Sequence, residues 1–157
     1  MRRIAFLPVL LLLGACATTA PIDATSVVGR WRCGPTTLHG SGFDVAVSTD
    51  STYQADRRFQ TVTRSVITRP GHAPVTTQDR AEGTWSLTGD VLRTTVQRVT
   101  FLSSSDPGIS VGEGQRLQDA QLKRRAVYET RLQRIDAAHW TTSPVDGGGD
   151  RASCTRG

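Results

Sequence analysis

Short runs of alternating apolar and polar side chains, each closed by glycine, proline or aspartate, recur from residue 27 to the C-terminus. A strand shows its two faces to different surroundings, so period-two alternation at this length and spacing describes antiparallel strands joined by tight turns. In residues 27–33, Val27, Gly29, Trp31 and Cys33 share one face, and Val28, Arg30 and Arg32 share the other. Gly34-Pro35 stops that run. Phe43, Val45 and Val47 then alternate with Asp44, Ala46 and Ser48. Asp50-Ser51 reads as a turn into Thr52-Tyr53-Gln54, and Ala55-Asp56-Arg57-Arg58 as a tight hairpin. Residues 59–68, rich in Thr, Val and Ile, form the next strand, followed by strands at 82–87 and 91–102. In the last of these Leu92, Thr94 and Val96 lie on one face, whereas Val99 and Phe101 have the other parity. A β-bulge near Gln97-Arg98 is expected to bring all five to one side. Strands at 128–133, around 139–141 and at 151–156 complete the pattern, and residues 69–74 and 103–114 read as loops. Residues 115–125 are the one candidate helix, with good helix formers but a poor apolar stripe, which suits a short surface or barrel-end helix. About eight strands and one helix make a mostly β fold, either a closed barrel or a sandwich.

The N-terminus has a different logic. Arg2 and Arg3 precede an apolar run over residues 4–13, too short to span a bilayer, which ends at small residues and a cysteine. That is the layout of a secretory signal. Leu13-Gly14-Ala15-Cys16 resembles the lipobox of bacterial lipoproteins. The resemblance implies cleavage after residue 15, acylation of Cys16 through its sulfur, and Cys16 as the mature N-terminus. Two or three acyl chains give durable anchoring where one does not. Ala17, where an aspartate would mark inner-membrane retention, favours the outer membrane, facing the periplasm. The expected organisation is a signal segment at 1–15, the lipidated Cys16 and a flexible tether to residue 26, and one β-barrel domain over 27–157. Ten tether residues reach at most about 35 Å, which keeps the domain near the bilayer.

Removing residues 1–15 from a chain of 157 leaves 142, enough for one domain. It also removes two of 19 cations, leaving 17 against 14 anionic side chains and a net charge of +3. Lys123 is the only lysine; the arginines are spread singly along the strands, as on a solvated outer face. Nucleic-acid binding calls for a clustered basic stripe with stacking aromatics, and nine scattered aromatics do not supply one. With Cys16 committed to lipid, Cys33 and Cys154 are the remaining pair in an oxidising compartment, and neither has Cys-x-x-Cys spacing. They are expected to form a disulfide. Because Cys33 lies in the first strand and Cys154 in the last, the bridge would staple the seam of a closed up-and-down barrel, which favours barrel over sandwich.

Within that frame Gly29-Arg30-Trp31 matches the G-x-W at the start of the first lipocalin strand, and the chain resembles lipocalin-like (calycin) barrels, including small bacterial lipoproteins of that shape. The stretch from Tyr53 to Phe59 and the second Gly83-Thr84-Trp85 look like bacterial lipocalin-like domains as well, with Arg57 standing where their hairpin has a glycine. The resemblance implies that an arginine near the C-terminus, Arg156 or Arg151, packs over Trp31 and seals the barrel floor. It also implies either a small apolar ligand in the barrel or a surface that binds a periplasmic protein, as an enzyme inhibitor does.

Residues for catalysis or metal chemistry are sparse. His39, His72 and His139 lie far apart, none beside a second ligand at zinc spacing. Asp146 and Asp150 flank three glycines without the alternating ligands of a calcium loop. Ser103-Ser104-Ser105-Asp106 lacks the strand–turn–helix setting of a nucleophile elbow. Glu82 and Glu129 are the one conceivable carboxylate pair, and both sit on strands. The sequence therefore predicts a non-catalytic protein with no metal and no cofactor.

Overall fold

A computed structural model of the chain describes residues 21–146 and 150–157. Cys16 and the signal segment lie outside the described residues, as do the glycines at 147–149. Eight antiparallel strands close in sequence order into a barrel: β1 (Gly29–Gly40), β2 (Phe43–Tyr53), β3 (Arg58–Thr68), β4 (Val75–Thr88), β5 (Val91–Ser104), β6 (Val127–Arg134), β7 (His139–Pro144) and β8 (Ala152–Arg156). A single turn of helix, α1 (Ala24–Val27), precedes β1, and α2 (Val111–Arg124) joins β5 to β6. This is the closed up-and-down barrel that the expected Cys33–Cys154 bridge favours over a sandwich, and its shape fits a lipocalin-like fold.

The ring is not uniform in height. Strands β1 to β5 are 11 to 14 residues long, whereas β6, β7 and β8 have eight, six and five. β5 pairs with β6 only through Val91–Thr95, and β1 pairs with β8 only through Trp31, Arg32 and Cys33. The barrel is therefore closed at one end, the floor, and continues above it as a curved five-stranded wall. The upper edge of β5 needs other partners for its backbone groups. Gln115 of α2 supplies them: its side-chain oxygen accepts from the Phe101 N–H at 2.9 Å, and its amide nitrogen donates to the Val99 carbonyl at 2.8 Å. α2 thus takes the place of the missing strand. Gly114 makes this docking possible, because a Cβ there would lie 2.4 Å from the Phe101 ring.

The predicted bulge is present: Gly83 pairs with Val96 and Glu82 with Arg98, so Gln97 is the extra residue. Leu92, Val96, Val99 and Phe101 are all buried or packed against the core as a result. Several boundaries differ from expectation. Asp50-Ser51 is not a turn, because β2 runs straight through it with Ser51 buried and Asp50 on the outer face, where Arg30 and Arg32 hold its carboxylate at 3.1 and 3.5 Å. β1 continues past Gly34-Pro35, which form an irregularity between Cys33 and Thr36. β4 begins at Val75 instead of residue 82, and α2 begins at Val111, where Ser110 caps it by accepting from the Glu113 N–H. The segment expected to be tether as far as residue 26 is packed from Ile22 onward. Asp23 caps α1, Ile22 and Ala24 lie against the core, and Val27 is fully buried. Small polar residues such as Asp23, Thr25 and Ser26 suit a capping box as well as they suit a linker.

Several arginines of the strands lie on the outer face against carboxylates, Arg93 with Glu129, Arg131 with Asp90 and Arg98 with Glu82, whereas Arg80 of β4 has its Nε buried without a partner among the described residues.

Candidate functional site

The floor of the barrel is built on Trp31. Its side chain is 1% exposed, its Nε1–H donates to the Val27 carbonyl at 2.9 Å, and it stacks on Trp140 with centroids 3.7 Å apart. The Arg156 guanidinium lies 4.8 Å from the Trp31 ring centre and donates to the Ser26 carbonyl at 2.8 Å, tying α1 to the last strand. Arg156, not Arg151, is therefore the arginine over the tryptophan. Gly29 permits the approach: its φ is +133°, a region side chains avoid, and a Cβ there would meet the guanidinium at 3.2 Å. Cys33 and Cys154, opposite each other in the β1–β8 ladder, form the disulfide. A second arginine–tryptophan pair repeats the arrangement: Arg57 lies 4.5 Å over the Trp85 ring. Arg57 occupies the left-handed region (φ 69°) that a glycine would take, and Trp85 Nε1 donates to the Gln54 carbonyl of the same hairpin.

Above this floor the interior holds a cavity of about 370 Å³. Trp31, Trp140, Leu92 and Leu132 form its apolar base, Leu38 and Val47 its upper wall, and Thr36, Thr49, Thr94, Thr130 and Thr142 line its sides. It lies where β6, β7 and β8 stop and the long strands continue. Two of its lining residues carry polar atoms that are buried without a protein partner, Trp140 Nε1 and Thr36 Oγ1. Tyr53 lines it too, and burial raises its phenol above the ordinary value, an effect partly offset by a hydrogen bond with Ser51. At the rim, Leu38 and Phe43 are 42% and 40% exposed.

One inward-facing carboxyl has no ion-pair partner among the described residues. Asp79 shares the inner parity of β4 with Ala81, Gly83 and the buried Trp85, and stands opposite Thr63 on β3 and Phe101 on β5. Burial pushes its carboxyl above the usual range. Asp79 is not among the residues the sequence singles out, because the segment 75–81 does not read as strand. Its odd-numbered alternation with Ala81 and Gly83 is the available signal.

The sign of its effect on stability follows from linkage. A carboxyl whose folded pKa is raised stabilises the fold only while protonated, so that contribution is present below about pH 4 and lost as pH rises through the folded value. At pH 7 the ionised, half-buried group is a net cost. Asp79→Asn is expected to raise the thermal midpoint at pH 7 by about 3–5 °C, roughly 1 kcal/mol after allowance for partial solvation. The gain should shrink as the pH approaches 4. Thermal melts of both proteins at the two pH values check this, and equal midpoints at pH 7 would count against it.

The other candidate residues do not assemble into a site. Glu82 and Glu129 lie on the outer face, each against its own arginine, Arg98 and Arg93, which are separated along β5. His139 is bonded to Asp136 at 2.7 Å and His39 to Asp44 at 2.8 Å, both on the surface. The serine-rich segment, expected to be loop, is the end of β5, with Ser103 and Ser104 paired to Gln78 and Thr77, and the turn after it, where Ser105 Oγ accepts from the Thr76 N–H and Ser104 Oγ from the Asp106 N–H. Asp146 pairs with Arg125 at 2.8 Å. Among the described residues no group of three or more His, Cys, Asp or Glu side chains could hold a metal. No protein-family model matches the chain, and a search of curated proteins finds no similar sequence. Its class is thus defined by its architecture, a disulfide-closed eight-stranded up-and-down barrel with an internal cavity.

Proposed function

We propose that the protein is a membrane-anchored, extracytoplasmic lipoprotein whose barrel carries a small amphipathic molecule and performs no catalysis. The observation that carries this reading is the cavity. Its volume of about 370 Å³ falls within the range of small-molecule sites, roughly 300–1,000 Å³. Its base of two tryptophans and two leucines offers an apolar ligand a favourable transfer from water. Its threonines, with Trp140 Nε1, provide polar contacts for one end of such a molecule. The anchor rests on the lipobox at Leu13-Gly14-Ala15-Cys16. With the chain packed from Ile22 onward, only the residues between Cys16 and Ile22 separate lipid from barrel, a reach of about 20 Å. The outer membrane, facing the periplasm, is the location this reading favours.

Native mass spectrometry of the mature chain carrying Cys16→Ser, purified from the periplasm, tests the carrier role. A small molecule that co-purifies and is lost on denaturation is the expected result. A protein found empty, and unresponsive to apolar probes, would reject it. The exposed Leu38 and Phe43 at the rim favour a second reading, in which the barrel mouth docks a periplasmic protein in the manner of an enzyme inhibitor. A stable partner recovered with the empty barrel, and lost on Phe43→Asp, would support that reading.

A further inference from the structure

We infer that the cavity takes an uncharged apolar molecule bearing a carbonyl acceptor, an ester or a ketone, in preference to an amine or a carboxylate. The inference rests on the carrier reading above and names the ligand class of that same site. It comes from hydrogen-bond donors on the cavity lining that the protein leaves without an acceptor.

The first donor is the indole of Trp140. This side chain lines the cavity, is 3% exposed, and has no partner for its Nε1–H among the described residues. A buried indole N–H ordinarily finds an acceptor. The other two tryptophans do so within the chain, Trp31 at the Val27 carbonyl and Trp85 at the Gln54 carbonyl. Trp140, the one of the three whose N–H is unclaimed, is also a wall of the cavity.

The second donor is the phenol of Tyr53, on the same lining. Thr61 Oγ1 donates to Ser51 Oγ at 2.9 Å, which leaves the Ser51 hydroxyl hydrogen for Tyr53. The contact with Ser51 works against the rise that burial imposes on the phenol. A hydrogen bond has that sign when it is donated to the phenol oxygen, because it then favours the ionised form. The relay from Thr61 through Ser51 therefore ends at a Tyr53 hydroxyl whose own hydrogen has no acceptor among the described residues. Burial keeps that hydrogen on the oxygen. Thr36 Oγ1, buried on the lining without a partner, can donate as well.

The ligand that such a lining satisfies brings acceptors. An ammonium only donates, and so does the Trp140 indole; threonine hydroxyls serve either sense and do not decide between them. A carboxylate accepts, but no arginine, histidine or lysine lines the cavity among the described residues, so its charge would be desolvated without a counter-charge. The charged residue that does line it, Asp150, is exposed and keeps its solvent. A neutral carbonyl pairs with the donors at the lower desolvation cost of an uncharged group, while its apolar body fills the base of tryptophans and leucines.

The test uses four probes with one apolar body: butyrophenone, butylbenzene, 4-phenylbutanoate and 4-phenylbutylammonium. Each is titrated calorimetrically into the mature chain carrying Cys16→Ser. The ketone is expected to bind at least about tenfold tighter than either charged probe. In the Trp140→Phe/Tyr53→Phe double variant its Kd should rise about tenfold, whereas that of butylbenzene, which lacks the carbonyl, should change less than about threefold. The infrared carbonyl stretch of the ketone bound to the parent should lie below its value in an apolar solvent, a readout that stands even if the double variant does not fold. A stretch at the apolar-solvent value, or a charged probe binding as tightly as the ketone, would overturn the inference. So would parallel losses of ketone and butylbenzene in the double variant, since the rings would then act by packing alone. Butylbenzene binding with the ketone excluded rejects the donor role and leaves the carrier standing, whereas binding of no probe rejects both.

Discussion

Replacing Trp31 with alanine is expected to destabilise the barrel by about 4 kcal/mol, which is a large share of the roughly 5–15 kcal/mol that holds a domain of this size together. The side chain is almost wholly buried, stacks on Trp140, supports Arg156 and donates a hydrogen bond to the Val27 carbonyl. Truncation removes the largest fully buried ring and leaves a cavity that α1 cannot fill, since its one buried side chain, Val27, is already seated. Trp31→Phe keeps part of the packing but loses the indole N–H, and is expected to cost about half as much. Arg156→Ala should cost only about 1 kcal/mol, because an exposed cation–π contact and one hydrogen bond are each of that order or less. Urea unfolding of the three variants checks the ordering. A Trp31→Ala protein within about 1 kcal/mol of the parent, close to an ordinary surface change, would show that the floor does not depend on this ring.

Removing the Cys33–Cys154 bridge should have an effect of similar size by another route. The cysteines are 121 residues apart, so the bond closes nearly the whole domain into one loop, and the chain-entropy relation assigns about 4–5 kcal/mol to it. The cost falls on the unfolded chain, which gains freedom when the link is cut. Two measurements should therefore move together in the Cys33→Ala/Cys154→Ala variant. The urea midpoint falls, and the slope of free energy against urea steepens because the uncrosslinked unfolded chain exposes more surface. The seam it spans is held by three residue pairs of β1 and β8, so opening is expected to begin there. An unchanged midpoint in that variant would mean that the ladder and the tryptophan floor close the barrel without covalent help.

The strands and their inner faces are legible in the sequence because period two is a local property. Trp31, Phe59, Trp85, Leu92 and Leu132 are buried on the faces that alternation assigns them, and the bulge at Gln97 can be placed because Val99 and Phe101 break parity within one strand. Local signals fail where residue type and position disagree. Asp50-Ser51 has turn chemistry but sits mid-strand, since Arg30 and Arg32 on the neighbouring strand hold the aspartate on the outer face. The 75–81 segment, rich in threonine with Gln78, Asp79 and Arg80, has too few apolar residues to announce a strand, and it is a strand only because β3 and β5 pair with it on both sides.

By itself the sequence determined the mostly β class, the near-continuous alternation, the pairing of two cysteines and the tryptophan at the start of the first strand. Each depends on residues close in sequence or on a count. Only the tertiary structure decided that the last three strands are short and the first five long, which leaves a cavity above the floor. It also decided that Arg156 covers Trp31, that Gln115 completes the edge of β5, and that Asp79 faces inward. Those properties depend on which residues meet across the barrel. The meeting is set by strand register and ring closure, quantities to which every strand contributes and which no single stretch contains.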